Sequence, residues 1–349
     1  MRECKKLEYK VCFATPAFLA GAVQQESEWR TPPFKALLRE WWRVVKAPEV
    51  GYDPDKLRDA EHKLFGHAGS KENSGQSLIR LRLEHWNQGT EEKLHASLRD
   101  IKLSAGKFPS PAAVYLGYGP IQNTTSRHAI SNGNDSNTLS LIVPLDVAEQ
   151  IRRTMQLVAW FGAVGSRARN SWGSLTIEGE EVKNSSALST DELGNSLRDW
   201  KDCLELDWPH AIGKDDNGPL IWKTEPHSDW KQALKNIANL RSGVRALFHL
   251  DQQSRLLQAR HILAYPIKQP VVSVWENQTR IPNQLRLKII CEGGKYRGIV
   301  THVPCALPQQ LAAKLDNNQA RNLKEMQHKV WEIVHNHLDS PVAKLTRVN

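Results

Sequence analysis

The chain has 349 residues, of which 40% are hydrophobic and 24% are charged, as in globular proteins with room for two domains. No apolar run approaches the roughly 20 residues of a membrane-spanning helix, and the first ten residues are too polar for a signal peptide, so we expect a cytoplasmic protein without membrane contact. The net charge of +9 favours an anionic partner but does not identify it.

The five cysteines are an odd number, and no two of them form a C-x-x-C pair. Structural zinc sites need such closely spaced ligands, and metal-dependent cleavage needs clustered carboxylates, which the sequence also lacks. We therefore expect reduced thiols, no metal site and no cofactor.

Residues 6–13 alternate between apolar and polar side chains, which predicts a half-buried strand. A loop then leads to residues 31–46, which read TPPFKALLREWWRVVK. Thr31 is a good helix N-cap and Pro32 suits the first helical position, so we predict a helix here. Its apolar side comprises Phe34, Leu37, Leu38, Trp41, Val44 and Val45.

The opposite side of this predicted helix is basic. It carries Lys35, Arg39, Arg43 and Lys46, and Trp42 lies at the seam between the two sides. Basic side chains neutralise phosphates and an indole offers a flat face to an unpaired base, so the stretch suits a nucleic-acid strand. A solvated helix face has the same residue types, and both interpretations stay open at this point.

The rest of the first half alternates between short strands and helices. Strands are predicted over residues 77–84, 111–119 and 138–143, and helices over 55–65, 90–102 and 147–161. A polar loop rich in glycine and serine occupies residues 67–76.

The next unusual stretch, residues 162–175, reads GAVGSRARNSWGSL. Glycines surround two arginines and a tryptophan, in the order Gly162, Gly165, Arg167, Arg169, Trp172 and Gly173. Glycines let backbone amides approach an anion closely, and arginines add fork-shaped donors. The GxxxxGK[ST] motif of nucleotide hydrolases is absent, and a plain connection from helix to strand is the alternative interpretation.

A run rich in Asn, Ser and Thr near residues 182–191 is the candidate linker, which predicts domains over 1–183 and 184–349. The second domain is predicted to contain helices over residues 191–206, 229–250 and 309–338 and a hairpin over 284–303. The second of these helices carries Arg241 and Arg245 on adjoining positions.

The order of these segments resembles that of the RAMP superfamily of CRISPR proteins. The segments are a strand, TPAFLAGA, RTPPFKALLREWWR, YLGYG, and GSRARNSWGSL before another strand. The chain looks most like the first RAMP subunit of the type III-B (Cmr) RNA-guided effector complex. The likeness covers residues 7–180, and in the second half RIPNQLRLKIICEGGKYRGIVTHVPCALP resembles the late strand–turn–strand of that family.

This resemblance implies an α+β fold of two ferredoxin-like, RRM-type domains with helical insertions. It implies a noncatalytic subunit that binds CRISPR guide RNA near its 3′ end, helps to capture single-stranded target RNA and assembles with other RAMP subunits. The RNA-binding residues that it carries over are Arg30, Lys35, Arg39, Trp42, Arg43, Arg167, Arg169 and Trp172. Lys46 extends the same basic helix side, and we include it.

An endoribonuclease of the same superfamily, which processes guide RNA or cuts target RNA, is the alternative. Such an enzyme uses a histidine as general acid or base, and His62, His128 and His302 are the candidates. No Ser, Tyr or Lys partner set accompanies them, so we predict that the chain is not an enzyme. A basic scaffold that mainly contacts protein is a third possibility.

Overall fold

The computed structural model describes residues 3–68, 75–89, 94–98, 101–103, 111–133, 135–267, 270–276, 279–281 and 283–349. Within this part of the chain, two four-stranded antiparallel sheets dominate the fold, and a small three-stranded sheet follows the first of them in the sequence.

The first sheet belongs to a βαββαβ unit with helical insertions. Its elements are β1 (Cys4–Phe13), α1 (Thr31–Lys46), α2 (Pro54–Phe65), β2 (Arg80–Leu83), α3 (Leu94–Leu98), α4 (Ala112–Gly117), β3 (Ser136–Pro144), α5 (Ala148–Phe161) and β4 (Leu175–Glu178). The spatial strand order is β2-β3-β1-β4. Without α2, α3 and α4, this is the ferredoxin-like arrangement.

A small connecting region follows. Its elements are α6 (Thr190–Leu193), β5 (Leu197–Asp199), α7 (Trp200–Cys203), β6 (Ile212–Asp215) and β7 (Gly218–Pro219). β5 pairs parallel to β6, and β6 pairs antiparallel to β7. The single helix that we expected over residues 191–206 is therefore divided into α6, β5 and α7.

The second large sheet repeats the topology of the first. Its unit comprises β8 (Ile221–Thr224), α8 (Trp230–Ala246), α9 (Ala259–Leu263), β9 (Leu285–Glu292), β10 (Lys295–His302), α10 (Gln309–Ala312), α11 (Asn317–Asp339) and β11 (Leu345–Arg347). The order β11-β8-β10-β9 again describes a βαββαβ unit. The predicted α+β fold with two ferredoxin-like units is confirmed.

Helix α1 occupies the predicted residues because its apolar side covers the first sheet. Phe34, Leu38 and Trp41 are buried in one cluster with residues of β1 and β3, and α1 packs beside α5 over the sheet. One detail differs: Thr31 is the first helical residue, and Arg30 holds the N-cap position without a side-chain cap. Pro32 in the first turn still suits the helix start.

The segment 112–117 is a helix rather than the strand that we expected over 111–119. Ala112, Ala113 and Leu116 are buried on its inner side, which is the spacing of a helix face. The helix expected over 90–102 lies partly outside the described residues, as does most of the loop over 67–76.

The two ferredoxin-like units share buried contacts along β9. Lys288 Nζ donates to the carbonyl oxygens of Val158 at 3.4 Å and Ala159 at 2.5 Å, in the last turn of α5. The backbone N–H of Ile289 donates to Ser174 Oγ at 3.0 Å. Each of the two large apolar clusters contains residues of both units. The boundary between residues 183 and 184 falls in the connection between β4 and α6 and stays a prediction.

None of the helices in the described ranges combines the length and the apolar character that crossing a lipid bilayer requires.

Candidate nucleic-acid interface

An open groove of about 910 Å³ lies between the glycine-rich loop of the first unit and α8 of the second. We call it the arginine groove, because its described charged residues are all arginines, namely Arg167, Arg169, Arg241, Arg245 and Arg280. Tyr115, Tyr118 and Tyr265 also line it. None of the described residues that line the groove is acidic, so its electrostatic potential is positive.

The glycine-rich loop is held against the segment that follows β1. Gly165 has φ +93°, and a Cβ atom there would lie 2.5 Å from the carbonyl oxygen of Phe18, so only glycine fits. The N–H of Ser166 donates to that same oxygen at 2.9 Å. The next residue, Arg167, is exposed and adopts φ +63°. The backbone therefore fixes the loop and leaves the Arg167 side chain facing solvent.

Arg169 connects the groove to α1 through Glu40, the one acidic residue in the sequence of that helix. Its guanidinium lies 3.7 Å from Glu40 Oε1, and Arg286 of β9 pairs with the same carboxylate. Burial, followed by the charge of Arg286, lowers the pKa of Arg169 to about 10. Arg169 is therefore cationic at neutral pH but shares its carboxylate with a second arginine.

Arg241 and Arg245 lie one turn apart on α8. The Arg241 guanidinium lies 5.3 Å from the ring centroid of Tyr115 on α4, in a cation–π contact. Burial lowers the pKa of Arg241, and the charges of Arg245 and Arg167 lower it further. In the described part of the chain no carboxylate pairs with Arg167, Arg241 or Arg245. An added anion would relieve their mutual repulsion.

The structure gives the arginines of α1 another partner. Arg39 Nε donates to Glu61 Oε1 at 2.7 Å, and Arg43 Nε donates to Glu61 Oε2 at 2.5 Å. The Glu61 side chain on α2 is only 6% exposed. Burial by itself would raise the pKa of Glu61, but the hydrogen bonds and charges of Arg43 and Arg39 outweigh it and lower the pKa. Both arginines thus join α1 to α2.

The other basic residues that we predicted on and beside α1 are also largely engaged. Lys46 pairs with Glu49 at 2.6 Å, and Arg30 Nη1 donates to the carbonyl oxygen of Ala20 at 2.7 Å. Lys35 is half-buried, and burial lowers its pKa. Of the described residues that line the arginine groove, none belongs to α1.

The two predicted stacking residues are core residues. Trp42 is 1% exposed and its Nε1 donates to Gln150 Oε1 at 2.6 Å. Trp172 is fully buried, with its ring centroid 5.4 Å from that of Phe18 and 6.1 Å from that of Trp230. Because neither indole presents a face to solvent, a base cannot reach them, and we leave both out of the candidate surface.

From the sequence we did not predict Arg241, Arg245, Arg280, Tyr115 or Tyr118 as site residues. The neighbouring positions of Arg241 and Arg245 on one helix were visible in the sequence. What the sequence lacked was the placement of α8 opposite the glycine-rich loop. No sequence pattern indicated a role for Tyr118, which is 67% exposed in the structure.

None of the candidate histidines His62, His128 and His302 is among the described residues that line the arginine groove. His302 is fully buried, and its Nδ1 lies 2.9 Å from Nε2 of His335. Burial, and then the charge of His335, lowers the pKa of His302 well below its usual value. The rings of His62 and His67 stack at 4.6 Å. Among the described residues, no three His, Cys, Asp or Glu side chains are grouped to hold a metal ion.

No known protein-family model matches the sequence. Over 205 residues, which are 57% of this chain and 55% of the relative, the sequence is 24% identical to the CRISPR system Cmr subunit Cmr1-1 of Pyrococcus furiosus. Over 86 residues, 25% of this chain and 44% of the relative, it is 27% identical to Cmr subunit Cmr1-2 of the same organism. The matched regions thus span about half the length of these curated relatives.

The fold is similar to the crystal structure of Cmr1 from Pyrococcus furiosus in its apo form. The TM-score is 0.50 at 16% identity, and the match covers 85% of this chain and 87% of that one. At this identity the likeness concerns the fold alone. In its fold, and over part of its sequence, the chain is therefore similar to Cmr1 subunits of the CRISPR Cmr system.

Proposed function

We propose that this chain is a noncatalytic RNA-binding subunit of a type III-B CRISPR effector complex in the cytoplasm. It binds guide RNA near the 3′ end of that RNA, helps to capture single-stranded target RNA, and assembles with other RAMP subunits. The observation that supports this proposal is the arginine groove, in which five described arginines and no described carboxylate line one open channel.

The chemistry of the groove suits a single strand of RNA. Guanidinium groups form forked hydrogen bonds to phosphate oxygens, and each neutralised phosphate releases counterions. The exposed ring of Tyr118 offers a stacking surface for an unpaired base next to these arginines. A duplex is less well suited, because its bases are not free to stack on a side chain.

The residues predicted from the sequence divide into three groups. Arg167 and Arg169 line the groove, and we propose them as direct RNA contacts. Contacts to RNA outside the groove stay a prediction for Arg30, Lys35, Arg39, Arg43 and Lys46. Trp42 and Trp172 are left out because they are buried.

The salt dependence of RNA binding tests the proposed function. Replacing both Arg241 and Arg245 by alanine removes two phosphate-binding groups from the groove. The slope of log Kd against log salt for a single-stranded RNA is expected to fall by roughly 1.4, since each contact contributes roughly 0.7. Fluorescence anisotropy over a salt series measures this slope.

Arg321→Ala is the matched control, because Arg321 is exposed on α11 and does not line the groove. Its slope should equal that of the wild-type chain. An unchanged slope in the double variant would contradict the groove as the RNA site. Cleavage of the RNA by the purified chain would contradict the noncatalytic part and favour the endoribonuclease.

A further inference from the structure

A second, smaller cavity adjoins the arginine groove. It has a volume of about 80 Å³ and shares Arg241, Arg245 and Asn283 with the groove. Its walls are apolar and are formed by Leu240, Val244, Leu263, Ile267, Leu285 and Leu287. We call it the side pocket. A cavity of this kind suits a flat, uncharged ring rather than a phosphate.

Polar side chains also line the side pocket. Arg260 lines it, and the Nε atom of Arg260 is buried without a hydrogen-bond partner among the described residues. Asn283 accepts the backbone N–H of Leu285 at 3.0 Å through Oδ1, and no bond within the described chain uses its amide nitrogen. A buried donor without a partner is costly, so a ligand that accepts a hydrogen bond from Arg260 would be favoured.

The positive charge of the lining arginines favours a ligand that carries an anionic group. Arg241, Arg245 and Arg260 all line it, and none of them pairs with a carboxylate in the described part of the chain. A neutral apolar molecule would gain nothing from these three cations. A nucleobase has flat apolar faces, acceptor atoms on its edge and an attached phosphate for the arginines. The same residue pair, Arg241 and Arg245, faces both cavities, so a strand in the groove passes the pocket.

We propose that the side pocket receives one unpaired nucleobase of the RNA strand that lies in the arginine groove. This inference rests on the proposed function and adds a base-binding site to it. The apolar walls contact the faces of the base, and Arg260 and Asn283 donate to its edge. The neighbouring arginines bind the phosphates on either side of that nucleotide.

An abasic scan of the RNA tests the side pocket on the wild-type, full-length chain. Each nucleotide of a single-stranded RNA is replaced in turn by an abasic one, and Kd is measured by fluorescence anisotropy. A base in the pocket should contribute about as much binding free energy as a base stacked on an aromatic ring. Removal of the base at one position should therefore weaken binding by about 5- to 150-fold. The other positions should change Kd much less. A scan without such a position overturns the side pocket but not the groove.

A second experiment repeats the abasic scan with variants whose side pocket is filled. Leu263→Phe adds volume to the wall, whereas Leu263→Met conserves it and is the matched control. The abasic penalty should disappear in Leu263→Phe and persist in Leu263→Met, with the salt slope unchanged in both. Should Leu263→Phe fail to fold, Arg260→Ala removes the edge donor and should reduce the penalty. An abasic penalty of wild-type size in folded Leu263→Phe, or in Arg260→Ala, overturns the proposal.

A free mononucleotide distinguishes a strand from a small-molecule ligand. It carries the same base but lacks the neighbouring phosphates, so it should bind far more weakly than the RNA. A mononucleotide that binds as tightly as the RNA would overturn the proposal, since the pocket would then serve a free nucleotide. RNA binding that is unchanged when Arg241 and Arg245 are replaced by alanine would instead count against the groove itself.

Discussion

At the scale of single residues, the carboxylate of Glu61 lies between Arg39 and Arg43 and joins α2 to α1. The basic side of α1 is therefore partly an internal contact. The Glu61 side chain is nearly buried, whereas the side chains of Arg39 and Arg43 are 33% and 40% exposed. Solvent screens the two arginines to that extent, so the ion pairs contribute less than fully buried ones would.

Glu61→Gln should destabilise the fold at neutral pH. The substitution removes the charge of a carboxylate that accepts three hydrogen bonds from the guanidinium groups of Arg39 and Arg43. We expect a loss of about 1–2 kcal/mol in the free energy of unfolding. Urea denaturation measures it. Glu178→Gln is the control, because Glu178 pairs with Lys10 on the surface, and its effect should stay below about 0.5 kcal/mol.

The pH dependence of this contribution has a defined sign. The pKa of Glu61 is lowered in the folded chain, from an ordinary value of 4.5. Its stabilisation is therefore complete above pH 4.5 and is lost as the pH falls through the folded value. The difference between wild-type and Glu61→Gln stability should shrink in acid. A difference that stays constant would contradict the ion-pair account.

At the scale of elements, Lys288 holds β9 against the last turn of α5. Carbonyl groups at a helix C-terminus are free to accept hydrogen bonds, and Lys288 Nζ supplies the donor from the other ferredoxin-like unit. Burial lowers the pKa of this lysine to about 7, from an ordinary value of 10.5. Folding thus favours the neutral amine, and the unfolded chain binds more protons between these two values.

Stability should therefore rise with pH above neutrality, and Lys288 should be one cause. Lys288→Met removes the titrating group, so the rise from about pH 7 to pH 9 should be smaller by about 2 kcal/mol. Denaturation at the two pH values measures this difference. Lys295→Met, at the exposed first residue of β10, is the control and should behave like the wild-type chain. An identical rise in Lys288→Met would show that the lysine does not titrate as inferred.

Trp172 is the corresponding contact on the side of the glycine-rich loop. It packs between Phe18 of the first unit and Trp230 of α8, so Trp172→Ala should leave a cavity and cost about 3–5 kcal/mol of stability. Thermal or urea unfolding measures this. Trp86→Ala is the control, because Trp86 is 62% exposed. A stable Trp172→Ala chain with weakened RNA binding would revive the stacking role.

Local sequence patterns predicted some elements well. The bounds of α1 follow from an apolar stripe with helical spacing, a proline in the first turn and a proline shortly after the last turn. The β9–β10 hairpin follows from two apolar runs around Glu-Gly-Gly-Lys. The strand predicted around residues 112–117 was wrong, and the segment is a helix. Short apolar runs fit a strand and a buried helix equally well.

At the scale of the whole molecule, the candidate site combines parts that are distant in the sequence. The arginine groove is formed by residues near 115, near 167, near 241 and near 280. The sequence predicted Arg167 and Arg169 because a local glycine pattern marks their loop. It did not reveal the partner of Arg39 and Arg43, or the burial of Trp42, because both depend on how α1 packs against α2 and α5.

The two βαββαβ units also explain why the groove lies where it does. They show no sequence repeat, yet both have the strand order of a ferredoxin-like fold. Their edge strands β4 and β9 meet, and the glycine-rich loop before β4 pairs with β9 between Asn170 and Leu287. This contact brings the loop opposite α8. The arginine groove is thus formed by the way the two units join and not by either unit alone.

Photocrosslinking most directly tests whether the arginine groove binds RNA. A single-stranded RNA that contains 4-thiouridine is irradiated with the full-length chain, and mass spectrometry maps the linked peptides. We predict crosslinks at Tyr115 and Tyr118 and beside Arg167, which line the groove. These crosslinks should be lost when Arg241 and Arg245 are both replaced by alanine. Crosslinks confined to the outer side of α1 and α2, and unchanged in the double variant, would contradict the account.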